Sequence, residues 1–483
     1  MAVDVHMRET DAFSWSMESD PRMRMLVVSV AVLDGVPDWA ETVRRMEALT
    51  RAAPMFRQRL VMPPVGLAPP KWVVDEQFSL GWHLRRVVAP SPASLDTVLD
   101  FAARIGSCGF DLSRPLWESW LIEGLGGGGS AVVTKVHHTL TDGLGGMQLL
   151  ARMFDVDGRL LAHDPAPPAP PAGDTSAVAL LRSGLAHDAR QLASATRGGV
   201  RGLARTLAEA RHDPLHAVEG ALATWLSVVE MVAPSGGVLS PVMTGRGLAR
   251  RYAVLDVPLE ELRAAGRVVD GTVNDAFLTA ITGGLRRYHA AHDADVPELR
   301  VTLPINVRRP DDPIAGNRMA LVRYRLPLEP ADPVQRMREV RTRTRRWKQA
   351  PALPYTEPAY SVVNWLPTGY LQQIVRSVDF VASNVPGFPT PVRLAGPALL
   401  AYYPFGPTGG TAVNVTMMSC NGTGHVGVNL DTEAVPDVDT FLACLREGFD
   451  EVHSLAAMHP STRRPRGHGN LRATTTRRVP ASG

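Results

Sequence analysis

Cysteine is nearly absent: the 483 residues hold three, Cys108, Cys420 and Cys444, with no CxxC pair among them. That scarcity excludes a disulfide-stapled scaffold and a zinc ribbon, and it fits a reducing compartment. Lysine is as rare, three against 48 arginines. No GxSxG occurs, so the nucleophile elbow of serine hydrolases is missing. The longest apolar stretch near the start, Met25 to Leu33, falls short of the roughly 20 residues a membrane-spanning helix needs. No basic segment followed by an apolar one opens the chain, so no signal peptide is expected. Net charge is only +3, and six arginines with no acid lie in residues 461–483, which leaves residues 1–460 at a net −3. A nucleic-acid binder would carry its cations on a folded face, and no nucleic-acid partner is expected.

What is present is a globular composition, 45% apolar and 20% charged, with length for two or three domains. Residues 26–33 (LVVSVAVL) read as a buried strand, and 38–52 and 94–106 as helices. Phe110 to Trp117 approach a strand over 117–123, and a second strand covers 130–136. The glycine-rich loop between them superficially matches GxGxxG, but a dinucleotide fingerprint needs a helix after it, and here a strand follows. A helix over 144–155 comes next, then the Pro-rich run 165–171, an extended linker. Residues 176–232 are rich in Ala, Leu and Arg. Arg197, Arg201 and Arg205 share one helical face, which fits either a basic membrane-binding surface or a helix packed on its own protein with solvated arginines.

Further on, strands are expected at 251–257, 300–305, 320–327 and 378–382, the last ending in a Ser383-Asn384-Val385-Pro386-Gly387 turn. A hairpin at 412–418 and 424–430 turns at Asn421-Gly422. Helices are expected at 259–267, 274–290, 333–348 and 437–454. The alternation gives an α/β fold. Its expected parts are an N-terminal domain at 1–160, a Pro-rich and helical linker at 161–245, a C-terminal domain at 246–460 and a disordered basic tail at 461–483.

The informative motif is HHxxxDG, His137-His138-Thr139-Leu140-Thr141-Asp142-Gly143. A strand delivers His138 to its end, and Asp142 can N-cap the following helix. Histidine takes a proton near neutral pH. With no Ser or Cys in a nucleophile context nearby, a general base acting directly on an acceptor hydroxyl is favoured over an acyl-enzyme. A metal site lacks its third ligand, and no metal is expected. For His137 a structural role in the core stands beside a catalytic one. Asp142 serves to hold the loop, through an arginine or backbone amides.

HHxxxDG in this setting resembles the coenzyme-A-dependent acyltransferase superfamily of the chloramphenicol acetyltransferase fold. Within it, the chain resembles the bacterial wax ester synthase/diacylglycerol acyltransferase family. Besides HHxxxDG, the matches run in order from Thr10-Asp11-Ala12-Phe13. They include Pro115-Leu116-Trp117, Asn274-Asp275, Pro304-Ile305-Asn306-Val307-Arg308, Gly316-Asn317, Ser383 to Gly387 and Asn414-Val415-Thr416. Asn306 stands where the family often has Ser, and Phe388 where Pro is usual, which bears on acceptor choice.

The resemblance implies two acyltransferase domains of that fold, with a tunnel between them for acyl-CoA and a lipid alcohol. It implies His138 as general base, with His137 and Asp142 shaping the loop. Asn274 is either a polar contact to the reacting centre or an N-cap. Asp275 supports the first helical turn, and Arg308 is the candidate partner of Asp142. Substrate contacts are expected from Trp117, Gly143, Ser383 and Asn384, although the 383–387 segment could equally be only a turn. No resident cofactor is implied, acyl-CoA being a co-substrate.

The leading function is acyl-CoA-dependent esterification of diacylglycerol to triacylglycerol. Acylation of long-chain alcohols to wax esters stands close behind. A non-catalytic lipid-inclusion protein and a condensation enzyme using carrier-bound acyl groups are the readings from other classes. The expected place is cytoplasmic, peripheral to the inner membrane face or lipid inclusions, with the basic stretch 190–211 and the arginine-rich tail as candidate headgroup contacts.

Overall fold

The computed structural model describes residues 5–63, 69–141, 143–160, 176–187, 236–306, 319–349 and 366–458, with a few isolated positions between them. Asp142, Arg308, most of the linker and the basic tail lie outside the described residues. After α1 (Glu9–Ser16), the N-terminal half runs β1 (Leu26–Leu33), α2 (Trp39–Ala52), β2 (Leu84–Val88), α3 (Leu95–Ser107), β3 (Trp117–Leu125), β4 (Gly129–His137) and α4 (Gly143–Leu150). Val28 and Val30 of β1 enter one core, with α3, while Ala31 and Leu33 enter another, with α2. Both strand faces are therefore buried, as an unbroken apolar run requires. Asp38 caps α2 by accepting from Glu41 N, and Ser94 caps α3 by accepting from Thr97 N. The glycine-rich loop is the turn of the β3–β4 hairpin, with Gly127 at φ 76°.

The C-terminal half runs β5 (Arg250–Pro258), α5 (Leu259–Arg267), α6 (Val273–Ala290), β6 (Glu298–Asn306), β7 (Met319–Pro327), α7 (Pro333–Lys348), α8 (Thr368–Arg376), β8 (Phe380–Pro386), β9 (Leu399–Phe405), β10 (Val413–Cys420), β11 (Thr423–Asp431) and α9 (Val438–Met458). One sheet has the order β5-β11-β10-β8-β6-β7, with β10, β8 and β6 parallel and the outer pairings antiparallel. Phe277 and Ile281 of α6, Val340 of α7 and Phe449 of α9 bury one face of it. Asn421 and Gly422 turn the β10–β11 hairpin with φ of 47° and 83°, the backbone that an Asn-Gly pair adopts readily.

The N-terminal sheet has the order β9-β1-β4-β3-β2. Its edge strand β9 comes from the C-terminal half, paired antiparallel with β1 (Phe405↔Val28, Tyr403↔Val30). The sequence pattern does not announce this strand, because Pro404 argues against one. An edge position tolerates a proline, since one side of the strand carries no partner. β9 also crosses the other sheet. Gly427 of β11 meets the backbone of Pro404 so closely that a Cβ there would strike the Pro404 carbonyl oxygen. Beside that crossing Tyr403 Oη donates to Asp256 Oδ2 (3.1 Å), and His425 Nδ1 bonds Asp256 Oδ1 (2.7 Å).

Three further local expectations are revised. The Ser383–Pro386 segment is strand, paired parallel with Thr416 to Ser419. Among the described residues β8 pairs with β6 at Phe380 and Val381, and no described strand pairs with that side beyond Val381, where Pro386 fits. The helix after HHxxxDG ends at Leu150 rather than 155. The cap at α6 is Thr272, whose side chain accepts from Asp275 N while Asp275 accepts from Thr272 N, a reciprocal capping box. Asn274 is inside the helix and is not its cap.

Gly427→Val should destabilise the protein by about 1–3 kcal/mol, the range for overpacking a tight contact. Gly126→Ala, where a Cβ meets nothing within 4 Å, serves as the near-neutral comparison. Urea unfolding of both variants checks this.

Candidate active site

Alternation along β4 decides what faces inward. Thr134, Val136 and His138 line a cavity of about 380 Å³, together with Met25, Val27 and Ser29 from β1 and the residue before it. Across from them stand Val381, Ser383, Asn384 and Val385 of β8 and Asn414, Thr416 and Met418 of β10. The cavity therefore lies between the two halves, and its lining is mostly apolar.

His138 is partly buried at the end of β4, and its backbone N–H donates to Met25 O (2.9 Å). His137 points to the opposite face and is 1% exposed. Its Nδ1 accepts from Thr139 N (3.3 Å) and meets the Thr139 hydroxyl (2.8 Å), so the network assigns the ring proton to Nε2, which donates to Glu18 Oε1 (3.1 Å). The same Glu18 oxygen accepts from Met25 N (2.7 Å). Glu18 thus holds both the residue before His138 and the residue whose carbonyl takes the His138 amide. Burial pushes the Glu18 pKa up, but the hydrogen bonds from His137 and the Met25 amide, together with Arg24, outweigh it and leave the pKa below its ordinary value. The geometry gives His137 a positioning part in this loop.

Gly143 opens α4 against the other half. A Cβ there would lie 2.9 Å from Val385 Cγ2, so the motif's glycine lets the loop backbone approach β8. Trp117, at the start of β3, is 1% exposed, lines the cavity and donates Nε1–H to Phe56 O (2.8 Å). Its ring stacks on His83 at 4.6 Å and 15°, and Phe78 stacks on the far side of His83 at 5.2 Å and 19°. His83 Nδ1–H donates to Trp117 O (2.7 Å), and burial drives the His83 pKa down to about 4. His83 is a neutral spacer that sets the Trp117 wall.

Ser383 and Asn384 line the cavity as well. Asn274 does not: it sits in the first turn of α6 and is absent from the cavity lining. Asp275 is occupied with the cap. Sequence reasoning missed Glu18, His83 and Thr139. The partners of Glu18 and His83 in the site lie 119 and 34 residues away, so no local spacing could reveal them. Among the described residues no three His, Cys, Asp or Glu side chains come together as a metal set, and no helix is long and apolar enough to cross a membrane.

Comparison with known proteins adds the following. The family model described as the wax ester synthase/diacylglycerol acyltransferase catalytic domain matches residues 7–277, and the corresponding C-terminal domain matches 315–453. A Mycobacterium tuberculosis protein provisionally named a diacylglycerol O-acyltransferase is 34% identical over 446 residues, 91% of this chain and 90% of that one. A second from the same organism is 28% identical over 483 residues, covering 95% and 98%. Among solved structures, the wax ester synthase/diacylglycerol acyltransferase from Marinobacter aquaeolei VT8 superposes with a TM-score of 0.57 at 22% identity, covering 94% of this chain and all of that one. The starter condensation domain of rhizomide synthetase, in complex with C8-CoA and Leu-SNAC, gives 0.60 at 14% identity, with 95% of each chain covered. These two likenesses show the fold, the α/β chloramphenicol-acetyltransferase-like arrangement.

Two predictions follow from the buried groups. A carboxylate with a depressed folded pKa stabilises above its unfolded pKa, and the contribution is lost as pH falls through the folded value. Glu18→Gln should therefore be less stable than wild type at neutral pH, with the gap closing below the ordinary value of 4.5; thermal unfolding across pH 3–7 reads it. His83 has the opposite charge logic: between 6.5 and about 4 only its unfolded form is protonated, so acidification costs stability. At most about 3 kcal/mol is lost across that window, and His83→Gln should flatten this limb in urea titrations.

Proposed function

The chain belongs to the wax ester synthase/diacylglycerol acyltransferase family and is an acyltransferase, and from that premise we propose that it transfers the acyl group of an acyl-CoA to the free hydroxyl of diacylglycerol, making triacylglycerol. The observation that carries the proposal is the position of His138, at a strand end on the wall of an apolar cavity that both halves build. His138 takes the proton of the acceptor hydroxyl as its oxygen attacks the thioester carbonyl. When the tetrahedral intermediate collapses, the carbon–sulfur bond breaks and the imidazolium returns the proton to the departing thiolate. One ester bond forms, one thioester bond is lost, and no resident cofactor takes part. Ser383 and Asn384 offer polar contacts to the substrates inside the cavity, and Trp117 packs against an acyl chain.

Several features support this reading. Glu18, His137 and Thr139 are spent on orienting the loop, which leaves His138 as the histidine on the cavity wall. The relatives carry names for the same acceptor, and a neighbour of the same fold was solved with C8-CoA. A long-chain alcohol is the second acceptor. Met147, Leu149 and Met153 among the lining give an apolar surface, and apolar surfaces separate chains of similar shape only weakly. We place the protein peripherally at a cytoplasmic membrane face or lipid inclusion, where both lipid substrates reside.

Purified protein given palmitoyl-CoA should release thiol only when dioleoylglycerol or hexadecanol is present, with more product from dioleoylglycerol. His138→Ala should cut that release by about 100-fold to 10,000-fold, the usual range for a general base, with an unchanged circular dichroism spectrum. Release that survives in His138→Ala would remove the general-base assignment. Absence of release in folded wild type would remove the acyl-CoA reaction.

A further inference from the structure

Among the described residues, the cavity wall contributed by the C-terminal sheet is apolar or neutral except at one place. Register fixes the arrangement. Arg323 of β7 pairs with Thr302 of β6, Thr302 with Val381 of β8, and Val381 with Asn414 of β10. All four side chains line the cavity, so they form one transverse row across the sheet. Two residues along stand Pro304, Ser383 and Thr416, and two further along Val385 and Met418, again all lining. The residues between them, Val322, Leu303, Ala382 and Val415, belong to the core on the other face, whereas Asn384, between Ser383 and Val385, also borders the cavity. Val385 marks the reacting end, because Gly143 of the histidine loop lies against it. Arg323 marks the far end, on the strand at the sheet's edge.

The distance between these ends follows from strand geometry. Four residues separate Val381 from Val385, about 13 Å, and two strand spacings separate β8 from β7, about 10 Å. The diagonal is about 16 Å, comparable to the reach of an extended pantetheine arm. A thioester held at His138 therefore brings the phosphate end of its carrier to the edge strand where Arg323 stands. The surroundings are cationic. Arg325, on the same face, pairs with Glu298, which Arg343 also engages, and Arg300 donates to the carbonyls of Gly237 and Ser377. Among the described residues Glu298 serves two of these guanidinium groups, while Asp379 Oδ2 accepts from Arg300 N (2.7 Å). A guanidinium fork matches phosphate oxygens bidentately, and the low-dielectric wall beside it strengthens the contact.

We propose that Arg323, at the edge-strand end of the cavity, anchors the phosphate groups of the coenzyme A moiety of the acyl donor. This rests on the acyl-CoA reading above and adds to it the donor's direction: phosphates at β7, pantetheine along the Thr302–Val381–Ser383 wall, thioester at His138. The lipid acceptor then uses the remainder of the cavity, toward Met46, Leu49 and Met153.

The test compares two donors, palmitoyl-CoA and palmitoyl-N-acetylcysteamine, the second carrying the thioester without phosphate. In Arg323→Ala the ratio of kcat/KM for the CoA donor to that for the phosphate-free donor should fall about tenfold. The change should reside in KM, and Arg323→Lys should restore part of it. The wild-type KM for palmitoyl-CoA should rise with salt more steeply than that of Arg323→Ala. An unaltered ratio, or an equal loss with both donors, would overturn the assignment. So would an unaltered ratio combined with weaker sedimentation on phosphatidylglycerol vesicles, which would give Arg323 to a lipid headgroup. Wild type inactive with both donors would instead strike the acyl-transfer reading itself.

Discussion

Everything at the cavity depends on β9 belonging to two structures at once. Its hydrogen bonds complete the N-terminal sheet beside β1, while the backbone carbonyl of Pro404 sits against Gly427 of the other sheet. Sheet faces normally stay about 10 Å apart because side chains fill the gap. Here the missing Cβ lets one backbone touch the other and fixes the spacing of the halves. Tyr402 and Pro404 of β9 line the cavity, and Tyr402 Oη donates to Ser29 Oγ (2.9 Å) on the neighbouring strand β1. The strand that joins the halves is also part of the wall between them.

An apolar chamber with one titratable base in it raises a problem of aim. Nothing apolar can orient an imidazole by directional bonds. The answer lies behind the sheet, where buried and partly buried polar side chains bond one another. Glu18 binds His137 and the Met25 amide, and Met25 returns its carbonyl to His138. On the opposite wall Asn414 donates to Pro407 O and accepts from Thr416, which holds the 406–409 segment against the cavity. Buried polar groups of this kind specify geometry well once each bond is made.

Much of the fold was legible in sequence because local physics wrote it. The β-branched run 26–33, the Asn421-Gly422 turn and helix 259–267 come out as read. HHxxxDG marked the strand end and the histidine on the cavity wall. Illegible features were those decided by distant partners. Residues 399–405 are a strand because β1 accepts them, and Ser383–Pro386 is a strand because β10 does. Asn274 attracted attention by its place beside Asp275, yet the capping box belongs to Thr272 and Asp275, and the turn carrying Asn274 is away from the cavity lining. Glu18 and His83 carry no signature at all, since their meaning is the residue each one touches.

The lent strand also has a consequence in time. Tyr402 and Ser29 are 373 positions apart, so the first sheet stays one strand short until most of the polypeptide has left the ribosome. Until then β1 presents an unpaired edge, the kind of surface that invites pairing with another chain. Long-range pairing of this sort is slow to form, and the chamber closes only with it. A half-made molecule therefore has no enclosed chamber, and enzymatic competence waits for residues 399–405 to be made and to pair with β1.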